Sequence, residues 1–200
     1  MNKRVVKDAL ILTAFTLVLG FILGGVHEIT KERIDAAELA AKQAAYMEVF
    51  PEAADFVPHE DIDLEMANMG LNDLGYNDSI DEVMDALDAG GETIGYVVTV
   101  TAKDGSQDLI TFAVGLENDR TVNGYSITEI GETPGLGDKA KLPEFYDQFS
   151  EKNVDYFEVV KDGGDPDEQI LAITGATITS KAVTNGVNAA LALYDHFLVE

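Results

Sequence analysis

The 200-residue sequence contains no cysteine. Disulfides, thiolate metal sites, iron–sulfur ligation by this chain and a cysteine nucleophile are therefore excluded. Histidine is nearly as scarce: His27, His59 and His196 lie scattered, whereas zinc ligands cluster at turn or helical spacing. No metal site and no catalytic side chain is expected. Basic residues number 13 against 37 acidic ones, for a net charge of −24. Lys3, Arg4, Lys7, Lys31, Arg33 and Lys42 nearly balance Asp8, Glu28, Glu32, Asp35 and Glu38, so the acidic excess belongs to the remaining body. That body repels backbone phosphates, and nucleic-acid binding is not expected. Repeats and low-complexity tracts are also absent. The apolar fraction of 46% is enough for a packed core, which excludes a wholly disordered chain. The length suits one domain with an appendage.

The appendage is readable. Ala9 to Val26, ALILTAFTLVLGFILGGV, carries no charge and is long enough to cross a bilayer core as a helix. Lys3, Arg4 and Lys7 precede it, and Lys31 and Arg33 follow, a small bias that puts the N-terminus in the cytoplasm and the body outside. The exit, Gly24-Gly25-Val26-His27-Glu28-Ile29, is a poor signal-peptidase site, and a buried core helix is rarely apolar all round at a chain's start. A retained anchor over residues 1–27 is the expectation, contacting membrane lipid, with a helical connector over 28–50. From Thr30 to Val49 the residues favour helix, and Arg33 stands where a capping box needs Glu or Gln. One long helix should therefore run on until Phe50-Pro51 ends it.

The body, residues 51–200, reads as α+β. Glu52 to Asn77 is acidic and irregular, with Pro58, Gly70 and Gly75. Ser79 to Asp88 is expected to be a short helix, from the capping-box spacing of Ser79 and Glu82 and the Gly90-Gly91 stop. Thr93 to Thr101 and Leu109 to Leu116 are β-branched and aromatic strands joined across Asp104-Gly105. Asn118-Asp119-Arg120 turns into a third strand, Thr121 to Ile130; Tyr156–Val160 and Ile170–Ile173 are shorter candidates. Leu142 to Phe149 should be a short helix with Pro143 in its first turn. A last helix should start near Thr179 or Ser180, either of which can cap it, with Val183, Val187, Ala190, Leu191, Tyr194 and Leu198 on one face. The sheet should be mainly antiparallel with flanking helices.

Two stretches carry candidate chemistry. Thr174-Gly175-Ala176-Thr177-Ile178-Thr179-Ser180 puts small residues and a hydroxyl ahead of a helix N-terminus, where unpaired N–H groups and the positive dipole end suit a phosphate. On its own such a string is more often an ordinary loop-to-helix junction. Gly131-Glu132-Thr133-Pro134-Gly135-Leu136-Gly137-Asp138 is a turn whose glycines let a flat or phosphorylated ligand approach the backbone. On its own it is equally a plain turn.

Taken in this order behind an N-terminal anchor, the two stretches resemble one family. ETPGLG at Glu132–Gly137, TGATITS at Thr174–Ser180, Val49-Phe50-Pro51, Gly95-Tyr96 and the apolar Ala9–Val26 run are similar to the G subunit of the Rnf complex, an FMN-binding-domain protein. The C subunit of the sodium-pumping NADH:quinone reductase is its relative, and the ETPGLG spacing favours the Rnf member. The resemblance implies an extracytoplasmic FMN-binding domain on a single-pass membrane anchor. It also implies a redox subunit, not catalytic alone, of a membrane complex linking ferredoxin oxidation and NAD+ reduction to Na+ or H+ movement. In such proteins a flavin transferase moves FMN from FAD onto the threonine of the motif. By resemblance that residue is Thr177, with Thr174, Gly175, Ala176, Thr179 and Ser180 around the phosphate. Glu132, Thr133, Gly135, Leu136 and Gly137 would line the flavin. The implied partners are the other membrane subunits and the transferase. Leu171 stands where many members carry aspartate, and Gly105 is the single glycine in a turn that is often richer. Other readings remain open: an anchored module holding flavin or another phosphate ligand noncovalently outside any pump, a protein like the C subunit of the quinone reductase, or an assembly subunit whose TGAT only caps a helix.

Overall fold

The computed structural model describes residues 3–163 and 165–199. Residues 1 and 2 of the expected anchor, the Lys3 side chain and residue 200 of the expected body lie outside what is described. Two units are present, Met1–Ala41 and Lys42–Glu200. Helix α1 spans Lys3–Val49 and ends where expected, one residue before the Phe50-Pro51 pair. Its apolar stretch is exposed, Phe21 at 86%. It is the one helix among the described residues long and apolar enough to cross a membrane. The threonine hydroxyls in and beside that stretch donate back into the helix: Thr13 to the Ala9 carbonyl and Thr30 to that of Val26, both at 2.9 Å. No hydroxyl donor is then left bare where a bilayer offers none of its own.

The second unit is built on an antiparallel meander in the order β1-β2-β3-β4-β5: Asp55–Pro58, Ser79–Leu87, Thr93–Ala102, Ile110–Glu117 and Val122–Ile130. A separate parallel pair joins β6, Glu158–Val160, to β7, Gln169–Leu171. Helix α2 is Leu64–Asp73, α3 is Pro143–Tyr146 followed by a 3-10 turn to Phe149, and α4 is Thr177–Leu193. The strands at 93–102, 110–117 and 122–130 lie where the β-branched runs put them. The fold is α+β with a mainly antiparallel sheet and flanking helices.

Both faces of the meander are covered. Val98, Val100, Phe112, Val114 and Leu116 pack with Ala67 and Leu71 of α2 and Val183, Val187, Ala190 and Leu191 of α4. On the other face Val97, Ala113, Met84 and Ala86 pack with Ala45, Tyr46, Val49 and Phe50 from the end of α1. There the Tyr46 hydroxyl donates to Glu82 (2.8 Å), which also takes Lys42 (2.7 Å). At its far end α4 is held by Arg120, whose guanidinium donates to both carboxylate oxygens of Asp195 at 2.6 and 2.8 Å and to the Val154 carbonyl.

Three expectations need correction. Ser79 to Asp88 is not a helix but strand β2. A bulge between Ile80 and Glu82 shifts the register, which spaces the apolar residues as Ile80, Val83, Met84 and Leu87. That is the i, i+3, i+4, i+7 pattern of a helix, produced here by a strand that changes face at Asp81. Glu52 to Asn77 is not irregular: it holds β1 and α2. Asp63 caps α2, its Oδ1 accepting the Glu65 and Met66 N–H groups at 3.0 and 3.1 Å. Third, α4 begins at Thr177, and neither Thr179 nor Ser180 caps it. The N-cap is Ala176, which offers no side-chain acceptor.

Asp78, just before β2, is 3% exposed, and its Oδ1 has no hydrogen-bond partner among the described residues. Burial pushes its carboxyl up from 3.8 to about 6, against the lowering effect of the Lys103 backbone N–H. The folded value exceeds the unfolded one, so the stabilisation is full below about pH 4 and is lost as pH rises through about 6. After allowance for screening by water the loss is about 1 kcal/mol, or about 2–4 °C in Tm. The expected outcome is that the Tm difference between wild type and Asp78→Asn in detergent shifts by that amount, in favour of wild type, between pH 7 and pH 4.5. Thermal unfolding of both proteins across that range checks it.

Candidate functional site

The turn after β7 and the turn after β5 meet at the N-terminus of α4. Gly175 has φ +81, a backbone conformation that side chains rarely adopt. It reverses the chain so that Ala176, buried, precedes the helix, with its N–H bonded to the Ile173 carbonyl at 2.9 Å. Ser180 secures the turn from inside. Its hydroxyl donates to the Ala176 carbonyl (2.9 Å) and accepts the Ile173 N–H (3.0 Å). The first intrahelical amide is that of Ser180, to Ala176 O at 3.0 Å. The N–H groups of Thr177, Ile178 and Thr179 have no carbonyl inside the helix to bond, and they sit at the positive end of a 17-residue helix. The cap, and the expected anion seat with it, therefore lies three or four residues earlier than the Thr179 or Ser180 cap read from the sequence.

The hydroxyls of this segment differ in access. Thr174 is exposed and Thr177 is half-buried, whereas Thr179 and Ser180 are both 0% exposed. Thr179 Oγ1 has no hydrogen-bond partner among the described residues.

The second turn packs on the first. A Cβ on Gly175 would lie 3.3 Å from Leu136 Cδ2. A Cβ on Gly137 would lie 2.6 Å from Thr179 Oγ1 and 2.7 Å from Glu132 Oε2, so only glycine allows this approach. Thr133 and Gly135 are exposed. The Thr133 carbonyl accepts the Leu136 and Asp138 N–H groups at 3.1 and 3.4 Å, and Gly135 has φ +78. Glu132 points inward at 7% exposure, its Oε1 taking the Ser106 and Gln107 N–H groups at 2.5 and 3.3 Å. The structure thus brings all eleven candidate residues into one neighbourhood. Glu132 and Ser180 are turned toward the protein, while Thr133, Gly135, Leu136, Thr174 and Gly175 are turned toward solvent.

Beside Thr174 lies a cavity of about 320 Å³ whose walls include Leu142, Phe145, Leu171 and Lys139. Lys139 and Lys181 are exposed, and Lys141 pairs with Asp138 at 3.4 Å. The cavity wall depends on Gln148, which the sequence did not single out. Its side-chain amide accepts the Leu171 N–H (2.7 Å) and donates to the Leu171 carbonyl (3.4 Å). Asn188 does the same for Phe157, at 2.8 and 2.9 Å. An asparagine inside the apolar run Val187–Leu193 was the available signal for the second; nothing marked the first.

The residues fit a phosphorylated ligand on observations of the chain itself: three helix N–H groups without a carbonyl partner among the described residues, a half-buried threonine at the first helical position, and Gly175 at φ +81 ahead of it.

Comparison with known proteins is consistent with that geometry. Residues 105–192 match the family model of the FMN-binding domain, and residues 1–49 match that of the RnfG N-terminal region. The chain is 32% identical over 200 residues to the G subunit of the Na+-translocating ferredoxin:NAD+ oxidoreductase complex of Acetobacterium woodii, covering 97% of this chain and 93% of the relative. It is 28% identical over 191 residues to the G subunit of the ion-translocating oxidoreductase complex of Methanosarcina acetivorans, covering 95% and 94%. The C subunit of the Na+-translocating NADH-quinone reductase from Parabacteroides distasonis shares the fold, with a TM-score of 0.51 and 21% identity over 74% of this chain and 79% of that one.

Ser180→Ala should strip the buried Ile173 N–H of its acceptor and lower stability by about 1–3 kcal/mol. Thermal unfolding of the detergent-solubilised chain checks this, with Thr174→Ala, at an exposed hydroxyl, expected to stay within about 0.5 kcal/mol of wild type.

Proposed function

The chain belongs to the RnfG family, the G subunits of ion-translocating oxidoreductase complexes, and on that premise we propose that it is a membrane-anchored electron-transfer subunit with FMN attached to Thr177. The observation that carries the assignment is the access of Thr177. It is a half-buried threonine at the first position of α4, where three helix N–H groups have no carbonyl partner among the described residues. Thr179 and Ser180 are buried, and Thr174 precedes the helix.

Attachment requires a transferase and FAD. The Thr177 hydroxyl oxygen attacks the FMN phosphorus, the Oγ1–P bond forms, the bond to the AMP phosphate breaks and AMP leaves. The hydroxyl proton passes to a base of the transferase. The diester keeps one negative charge, which the N–H groups of residues 177–179 receive. Gly175 would let the phosphate approach the backbone, with Leu136 packed beside that glycine. Lys139 and Lys181 lower the cost of that anion on an acidic body. When bound, FMN supplies the redox chemistry, and the chain supplies position and electrostatics.

Alignment with relatives named as subunits of ferredoxin:NAD+ oxidoreductase complexes supports partnership with other membrane subunits. The exposed apolar stretch from Leu10 to Val26 supports lipid contact. The excess of Lys3, Arg4 and Lys7 over Lys31 and Arg33 supports a cytoplasmic N-terminus and an extracytoplasmic flavin domain.

Co-expression with a flavin transferase and a denaturing gel test the proposal. Wild type should give a fluorescent band, with an intact mass raised by one FMN less one water. Thr177→Ala should give neither, while Thr174→Ala keeps both. A dark wild-type band, or a bright Thr177→Ala band, overturns the assignment.

A further inference from the structure

A buried carboxylate beside a seat for an anion is an electrostatic cost, so Glu132 calls for a physical reason to be there. At 7% exposure it cannot serve as a solvated surface charge. A metal does not supply the reason, since no group of three or more acidic or histidine side chains is placed to hold one among the described residues. Its contacts do. Oε1 accepts two consecutive amides of the β3–β4 loop, Ser106 and Gln107, in a charge-assisted pair. A Cβ on Gly105 in that loop would lie 3.2 Å from the same oxygen. Oε2 faces the other way. It and Thr179 Oγ1, the unpartnered hydroxyl in the first turn of α4, both front onto Gly137, at 2.7 and 2.6 Å from where a Cβ would stand. One side chain therefore ties together two segments that are distant in sequence, the loop at 105–107 and the turn at 132–137, and it is Gly137 of that turn that lies against Thr179 at the helix start.

We infer that Glu132 is a positioning residue: its carboxylate clamps the β3–β4 loop to the 132–137 turn and so fixes the turn whose Gly137 packs on the first turn of α4. The clamp fixes Leu136 over Gly175 and so sets the orientation in which Thr177 is presented. This rests on Thr177 being the attachment residue, and it gives Glu132 a role that needs no contact with flavin.

The test uses the full chain in membranes, co-expressed with the transferase, and follows the fluorescent band over time. Glu132→Ala should slow labelling by about tenfold or more, since a displacement on the order of 1 Å is enough for such a loss. Glu132→Gln keeps an acceptor oxygen for the Ser106 and Gln107 amides and should restore the rate to within about threefold of wild type, because the role is geometric. Gly137→Ala keeps the Glu132 carboxylate but sets a methyl where the turn meets Thr179, and should slow labelling like Glu132→Ala. Amide hydrogen exchange on the flavin-free chains should show faster exchange at Ser106 and Gln107 in Glu132→Ala, with protection in β3 and β4 unchanged. A dark wild type means that the Thr177 reading has failed. A labelled wild type with Glu132→Ala labelling at the same rate overturns the clamp alone. Glu132→Gln as slow as Glu132→Ala also overturns it, because charge and not position would then be the requirement. If Glu132→Ala does not fold, Gly137→Ala decides: wild-type labelling in that variant overturns the proposal.

Discussion

Burial of α4 against the meander is the constraint on which the rest of this body depends. Val183, Val187, Ala190 and Leu191 lie against Val100, Phe112 and Val114, and each is at most 1% exposed. Fully burying side chains of this size stabilises by roughly 1.5–3 kcal/mol each, so the helix has one place to lie. Both of its ends are then pinned by polar contacts with defined partners: Arg120 on Asp195 at one end, Ser180 on Ile173 and Ala176 at the other. A helix held this way cannot retreat from the ligand side. Its first amides stay aimed at the same point, next to the turn that leaves β5, without any contribution from the ligand.

The parts of this arrangement legible in the sequence are those written in short-range pattern. β3, β4 and β5 announced themselves through β-branched alternation, and the end of α1 through Phe50-Pro51. β2 was illegible for a definite reason. Its bulge after Ile80 displaces the strand period and imitates a helical one, while Ser79 and Glu82 imitate a cap. α2 was hidden in an acidic stretch where one aspartate among many, Asp63, does the capping. The start of α4 was misplaced because two good capping residues stand inside the helix, and the true N-cap, Ala176, carries no capping group.

The site divides in the same way. TGAT and ETPGLG are local strings and could be read. Their contact joins residues some forty positions apart and depends on Gly137 lying flat against Thr179, which no spacing rule reports. The roles inside each string were also out of reach. Ser180 looks from the sequence like a cap or ligand and is an internal staple; Glu132 looks like part of a ligand wall and holds a loop. Both side chains are buried and bond the backbone on their protein side.

Charge gives the strongest physical reason for the proposed covalent link. A body with so large an acidic excess repels a free flavin phosphate at long range, and screening at physiological salt removes that repulsion only beyond about 8 Å. Against it stand three helix amides and two exposed lysines, Lys139 and Lys181, each worth roughly 1 kcal/mol or less at a solvated surface. Such a seat orients a phosphate but retains it weakly. On the extracytoplasmic side proposed for this domain, a dissociated flavin would be diluted without limit. The proposed phosphoester on Thr177 would remove dissociation from the problem and leave the amides only the task they can perform, which is to fix the direction in which the anion, and the ring attached to it, points.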